Sequence, residues 1–267
     1  MNTKVMIVGA AGRMGKRFVS LATESGNFDI IAAIDMPNHP ELGKDAGILA
    51  GTGSIGIELT DTLPAINADV VVDFSLPEAI EKTIDFCLKN DIPLVSGTTG
   101  LSDEQKNIIK KASQIIPILY TTNLSIGMNV LFSLAGKVAA MLGDDYDIEI
   151  IEQHHRFKKD APSGSALTIA EKICEATERD FPGSIVNGRE GKDALRKKGD
   201  IGMHAIRAGD ITGIHSVIFG CLGETFTLNH TASTRDTFIR GALRAAKWIA
   251  GKQPALYSMA DVLSLNE

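Results

Sequence analysis

The chain has 267 residues, 44% of them apolar and 22% charged, which fits a folded globular protein and excludes a peptide-sized scaffold, a collagen-like repeat or a disordered chain. Lys and Arg number 27 against 33 Asp and Glu, for a formal net charge of -6, and only 5% of residues are aromatic. That balance argues against nucleic-acid, anionic-membrane and base-stacking surfaces, so an anionic ligand requires a local basic patch.

In chain order, Lys4–Val8, Asp29–Ile34, Val70–Phe74, Pro93–Ser96 and Ile116–Tyr120 are short, apolar and rich in β-branched residues, the pattern of strands buried on both faces. Between them Met14–Glu24, Pro77–Leu88 and Ser102–Ser113 place apolar residues three and four apart, and Ser102 with Gln105 forms a capping box. Strand and helix in alternation predict an α/β fold with a parallel sheet. Beyond Thr121 the pattern changes. A strand over Asp147–Gln153, a helix over Gly164–Ala176 and a loop over Asn187–Gly202 precede strands at Met203–Arg207, His215–Phe219 and Thr225–His230, which read as an antiparallel meander, and a helix over Phe238–Ala250. A smaller α+β domain over 122–235, with a mixed or antiparallel sheet, is therefore expected beside a first domain of residues 1–121 completed by 236–267. The amino terminus has no signal-peptide pattern, no run of about 18 apolar residues is expected to span a membrane, and Cys87, Cys174 and Cys221 are scattered singly, as free thiols in a reducing cytosol are.

Gly9-Ala-Ala-Gly12-Arg-Met-Gly15 lies between the first strand and the first helix. Glycines there permit a tight turn and let backbone N–H groups approach a pyrophosphate at the positive end of the helix. The same glycines also suit any strand-to-helix turn. Asp35, ending the second strand 20 residues after Gly15, supplies the acid that bonds the adenosine ribose in a Rossmann-type domain. A carboxylate about 4 Å from a 2'-phosphate costs up to about 4 kcal/mol at an effective dielectric near 20, so NADH is favoured over NADPH. Met36 is not an arginine able to grip that phosphate, while Arg13 and Lys16 leave NADPH open.

His154-His-Arg-Phe-Lys-Lys159 concentrates five potential cations in six positions and precedes Ala161-Pro-Ser-Gly-Ser165, which opens a helix. A solvated charged loop is one reading of such a run. The other is an anion site, in which cations and the N–H groups of Ser163, Gly164 and Ser165 hold a small dicarboxylate. A metal at the two histidines is not expected, because neighbours on a strand face opposite sides and no third ligand stands at a known spacing. Acid–base chemistry fits better, since His and a perturbed Lys can both move protons near neutrality.

These motifs, with Val95-Ser-Gly-Thr-Thr-Gly100, Thr122-Asn-Leu-Ser-Ile-Gly127 and Glu149-Ile-Ile-Glu-Gln-His-His-Arg-Phe-Lys-Lys-Asp-Ala-Pro-Ser-Gly-Ser165, resemble in order and spacing the 4-hydroxy-tetrahydrodipicolinate (dihydrodipicolinate) reductase family, from about Lys4 to Leu265. The resemblance implies NADH- or NADPH-dependent reduction of a cyclic dicarboxylate on the diaminopimelate route to lysine, in a cytoplasmic homotetramer built from the second domain's sheet. It implies that Gly9, Ala10, Ala11, Gly12, Arg13 and Met14 hold the pyrophosphate, Asp35 the adenosine ribose, Gly97, Thr98 and Thr99 the nicotinamide ribose, and Thr121, Thr122, Asn123 and Leu124 the nicotinamide. By the same resemblance His154 and Lys158 are proton donors, and His155, Ser163, Gly164 and Ser165 contact substrate. Met36 and Leu76 stand where some members carry basic residues, and Ser165 where a threonine is usual. Another two-domain oxidoreductase of an amino or keto acid, or a non-catalytic dinucleotide sensor, shares the glycine loop but gives no reason for the His-His to Ser-Gly run.

Overall fold

A computed structural model describes residues 1–265. In chain order the elements are β1 (Thr3–Val8), α1 (Arg13–Ser25), β2 (Phe28–Ile34), α2 (Ala46–Ala50), β3 (Leu59–Thr60), β4 (Val70–Asp73), α3 (Ile80–Asn90), β5 (Leu94–Ser96), α4 (Asp103–Ala112) and β6 (Ile118–Tyr120). They continue as α5 (Ile126–Leu142), β7 (Asp147–His154), α6 (Gly164–Thr177), β8 (Ile185–Asn187), β9 (Ile201–Arg207), β10 (Gly213–Cys221), β11 (Glu224–Ala232), α7 (Asp236–Ile249), β12 (Leu256–Tyr257) and α8 (Met259–Val262). Two compact units result, one of residues 1–126 with the segment from Asp236 onward, the other Gly127–Arg235.

The first unit is a parallel sheet in the order β12-β6-β5-β4-β1-β2-β3. Its strands are mostly apolar because both faces are covered. Val5, Ile7, Val70, Val72, Val95 and Leu119 pack with α1 and α7 on one side, while Met6, Val8, Val71, Leu94 and Ile118 pack with α3 and α4 on the other. The helix after β1 and the helix after β4 thus cover opposite faces, which makes the β1–β4 junction the topological switch point. The late elements complete the layer: Ile239, Ala242, Ala246 and Ile249 of α7 join the α1-side core, and β12 adds an edge strand beside β6. Ser102 caps α4 with the reciprocal Gln105 contact that its spacing predicts.

The second unit carries five strands in the order β11-β10-β7-β9-β8. The expected antiparallel meander is only partly present. β10 and β11 form an antiparallel hairpin, but β9 lies on the far side of β7, parallel to both β7 and β8, so the link from β9 to β10 crosses over β7. Short loops suggested neighbours, whereas the buried alternation of β7 makes it the central strand. A second correction concerns α5. With the turn that follows it, Ile126–Asp145 is long and apolar enough to cross a membrane by length and composition, contrary to the expectation that no stretch qualifies. Its Met128, Leu131, Ala135 and Ala139 pack into the core of this unit with Ile148 and Ile150 of β7 and Ile169, Ala170 and Ile173 of α6.

Candidate active site

In the first unit, the carboxyl ends of β1, β4, β5 and β6 deliver their loops to one edge of the sheet. Gly9 has φ +78°, and a Cβ on it would stand 2.7 Å from the Phe74 carbonyl, so both backbone shape and space demand glycine. A Cβ on Gly15 would lie 2.1 Å from the Gly9 oxygen. These contacts press the turn against β4 and bring α1 to the strand end. Gly12 is the helix N-cap and offers no side-chain hydrogen bond, so the first-turn N–H groups from Arg13 onward point out of α1 without an internal acceptor. Among the neighbouring loop groups, Gly9 and Ala10 N–H donate to the Ile34 carbonyl, and Ala11 N–H donates to Asp35 Oδ2 at 2.8 Å. Asp35 thereby sits against the glycine turn. The Met14 side chain is half-buried and Arg13 exposed. Lys16, one of the two cations that left NADPH open, is paired with Glu41 at 2.8 Å. Met36 and Leu76 are exposed.

The Gly97–Thr99 loop is held from below by a carboxylate that sequence reasoning missed. Asp73 is fully buried and accepts from Ser75 Oγ at 2.5 Å, Ser75 N–H at 3.1 Å, Ser96 Oγ at 3.0 Å and Thr98 Oγ1 at 2.7 Å. Thr98 therefore turns its hydroxyl inward, whereas Thr99 is exposed. A Cβ on Gly97 would meet Leu124 Cδ1 at 2.9 Å and the Phe74 ring at 3.2 Å, which brings Leu124 against the same loop. Thr121 and Asn123 hydrogen-bond to each other, and Thr122 is exposed.

The second unit gathers the other predicted residues around β7. Ile148, Ile150, Glu152 and His154 alternate on its buried face. Glu152 Oε1 accepts from Ser163 N–H at 3.0 Å and Arg207 Nη2 at 2.7 Å, and Oε2 meets Arg207 Nη1 at 2.8 Å and His154 Nδ1 at 2.5 Å. Burial raises the Glu152 carboxyl, but the hydrogen bonds from Arg207 and His154 outweigh it and hold the group below the usual carboxylate range. Burial likewise lowers the His154 imidazole against the pull of Glu152, with Lys158 and Arg207 lowering it further. Of the five potential cations, His154 is buried in this network, Lys158 pairs with Asp160 at 2.9 Å, His155 is half-buried, and Arg156 and Lys159 are exposed. The run is neither a uniform patch nor a wholly solvated loop.

Ser163 is the N-cap of α6. Its hydroxyl accepts from Ala166 N–H and lies 3.3 Å from His215 Nε2, so its side chain is committed inside the protein. Gly164 and Ser165 follow in the first turn, and a Cβ on Gly164 would meet nothing within 4 Å, leaving open space over the helix start. His215, on β10, packs edge-on to His154 with ring centroids 5.1 Å apart, and burial, followed by the His154 charge, depresses it to about 4. Glu152, Arg207 and His215 were not predicted. The period-2 pattern that puts Glu152 on the buried face was the available signal; nothing comparable marks Arg207.

A family model described as "Dihydrodipicolinate reductase, N-terminus" matches residues 3–124, and one described as "Dihydrodipicolinate reductase, C-terminus" matches residues 127–263. Proteins named 4-hydroxy-tetrahydrodipicolinate reductase from Pseudoalteromonas atlantica and Geotalea daltonii are 46% and 43% identical, each over 98% of this chain and 99% of the relative. Among solved structures, a dipicolinate-bound dihydrodipicolinate reductase from Paenisporosarcina sp. TG-14 superposes with a TM-score of 0.77 at 25% identity, covering 98% of this chain and 99% of that one.

Proposed function

The chain belongs to the dihydrodipicolinate reductase family, and on that footing we propose that it reduces 4-hydroxy-tetrahydrodipicolinate to tetrahydrodipicolinate with NAD(P)H and release of water, on the diaminopimelate route to lysine. The observation that carries the reading is that Glu152 ties His154 to the open start of α6 in the second unit, with the Lys158 charge acting on the same imidazole.

The residues of the first unit fit a dinucleotide. Gly9 to Met14 would receive the pyrophosphate on the uncapped start of α1, Asp35 the adenosine ribose, and Gly97, Thr98, Thr99 and Thr121 to Leu124 the nicotinamide half. When bound, the cofactor supplies a hydride. NADH is the preferred form in this reading: Asp35 repels a 2'-phosphate, Met36 and Leu76 bring no cation, and Lys16 is already neutralised by Glu41.

The second unit would take the dicarboxylate. First-turn N–H groups at Gly164 and Ser165 meet one carboxylate, with His155 beside it, and Ser163 acts by building that helix start. His154 and Lys158 would deliver the proton that completes the reduction. We further infer a cytoplasmic homotetramer assembled through the sheet of this unit. Ile151, Ile206, Ile214 and Ile218 share its outer face and none is fully buried, which supports that surface.

Lys158→Met tests the assignment. Turnover should fall by about 10² to 10⁴ while calorimetric NADH binding persists; near-normal turnover would remove Lys158 from the chemistry.

A further inference from the structure

Glu152 is completely buried, yet each of its oxygens has two partners drawn from three different elements: Ser163 at the start of α6, Arg207 on β9, and His154 two residues along β7. An ionised carboxylate only accepts hydrogen bonds. Facing the bidentate guanidinium of Arg207, it is the ionised member of the contact with His154, so the ring nitrogen that touches it, Nδ1, bears the hydrogen. Proton exchange is then left to Nε2.

We propose that Glu152 is a positioning residue for the reduction: one buried carboxylate fixes the tautomer and ring plane of His154 and, through the Ser163 N–H, fixes the α6 start that receives the substrate carboxylate. The inference rests on the roles given above to His154 and to Gly164 and Ser165, and adds the group that couples them. It uses the logic by which a buried acid orients the histidine of a catalytic triad. When His154 carries a second proton, Glu152 faces the imidazolium, and when Nε2 gives that proton up the ring returns to the neutral Nδ1–H form. The other groups around the ring do not substitute for this acid. Arg207 on β9 and Lys158 on the following turn are cations, Asp160 is taken by Lys158, and His215 on β10 and its cross-strand neighbour His230 on β11 are both held low by burial.

The first test is made on the unaltered enzyme. ¹⁵N-labelled histidine spectra, with the His154 signal assigned by its loss in His154→Gln, should show the Nδ1–H tautomer at neutral pH. A wild-type His154 found as Nε2–H overturns the proposal, whatever any variant does. The second test is Glu152→Gln, which keeps volume and removes the charge. NADH affinity should stay within about twofold, kcat should fall at least about tenfold, and the His154 titration should move down by about one pH unit. A merely structural Glu152 that only neutralises Arg207 predicts something different, namely that Glu152→Gln/Arg207→Met regains wild-type kcat; that recovery would also refute the inference. If the wild-type enzyme does not oxidise NADH with 4-hydroxy-tetrahydrodipicolinate, the proposed function fails, and the tautomer still reports on the geometry alone.

Discussion

Asp73→Ala removes the acceptor on which the Gly97–Thr99 loop rests. Four hydrogen bonds end on Asp73, three from side-chain hydroxyls and one from the Ser75 N–H, and the residue is fully buried. Bonds to a charged acceptor contribute about 1.5 to 3 kcal/mol each in net terms. The Ser75, Ser96 and Thr98 hydroxyls can turn toward other acceptors, and deleting the acid also removes its desolvation cost, so the net loss should be about half the lower sum, near 3 kcal/mol. For a unit of this size, each kcal/mol shifts the midpoint by about 2 to 4 °C, so thermal unfolding followed by circular dichroism should move down by about 6 to 12 °C. Thr98 would no longer be tied from below, and NADH affinity, read by fluorescence titration, should weaken by at least about fivefold, about 1 kcal/mol. A midpoint within about 2 °C of wild type, with unchanged NADH affinity, would refute the reading that this carboxylate holds the Gly97–Thr99 loop.

Gly15→Ala should abolish measurable NADH binding, because its methyl would lie 2.1 Å from the Gly9 oxygen and 2.6 Å from Ala10 Cα, and backbone rather than a flexible side chain has to yield; calorimetry retaining wild-type affinity would contradict this. Acidification should destabilise the protein through His215, whose folded value near 4 lies below the unfolded value of about 6.5. The unfolded state takes up this proton first, so the contribution is complete above about pH 6.5 and is lost as pH falls toward 4, a swing of about 3 kcal/mol. Urea unfolding at stepped pH, wild type against His215→Phe, should show a smaller acid loss in the variant, and parallel curves would exclude His215 as the source.

Periodicity made much of the fold legible. The β-branched runs of the first unit are strands because both sheet faces are buried, and Ser102 and Gln105 mark the start of α4 by chemistry that depends on neighbours alone. What depends on long-range pairing was harder to read. β9 and β10 look like consecutive hairpin strands in sequence, yet β7 takes the place between them, its Ile148 and Ile150 packing into the core with α5 and α6. The segment after Asp35, where α2 and β3 form, is anchored by Asp45 accepting from Gly47, Ser54, Ile55 and Gly56, an arrangement of one side chain with a loop that no periodic pattern encodes. Asp73 and Glu152 were written in the sequence as acids on the buried faces of strands. Their meaning comes from partners 23 to 55 residues away, Ser96, Thr98 and Arg207, which only the folded chain brings to them.

Hydride transfer from a nicotinamide cofactor to 4-hydroxy-tetrahydrodipicolinate is the reaction proposed for this chain. The most direct measurement generates that substrate enzymatically in the cuvette and follows cofactor absorbance with NADH and with NADPH. Oxidation that requires both substrate and enzyme, with the higher kcat/KM for NADH, is the predicted result. Calorimetric NADH binding with no substrate-dependent oxidation of either cofactor would contradict it.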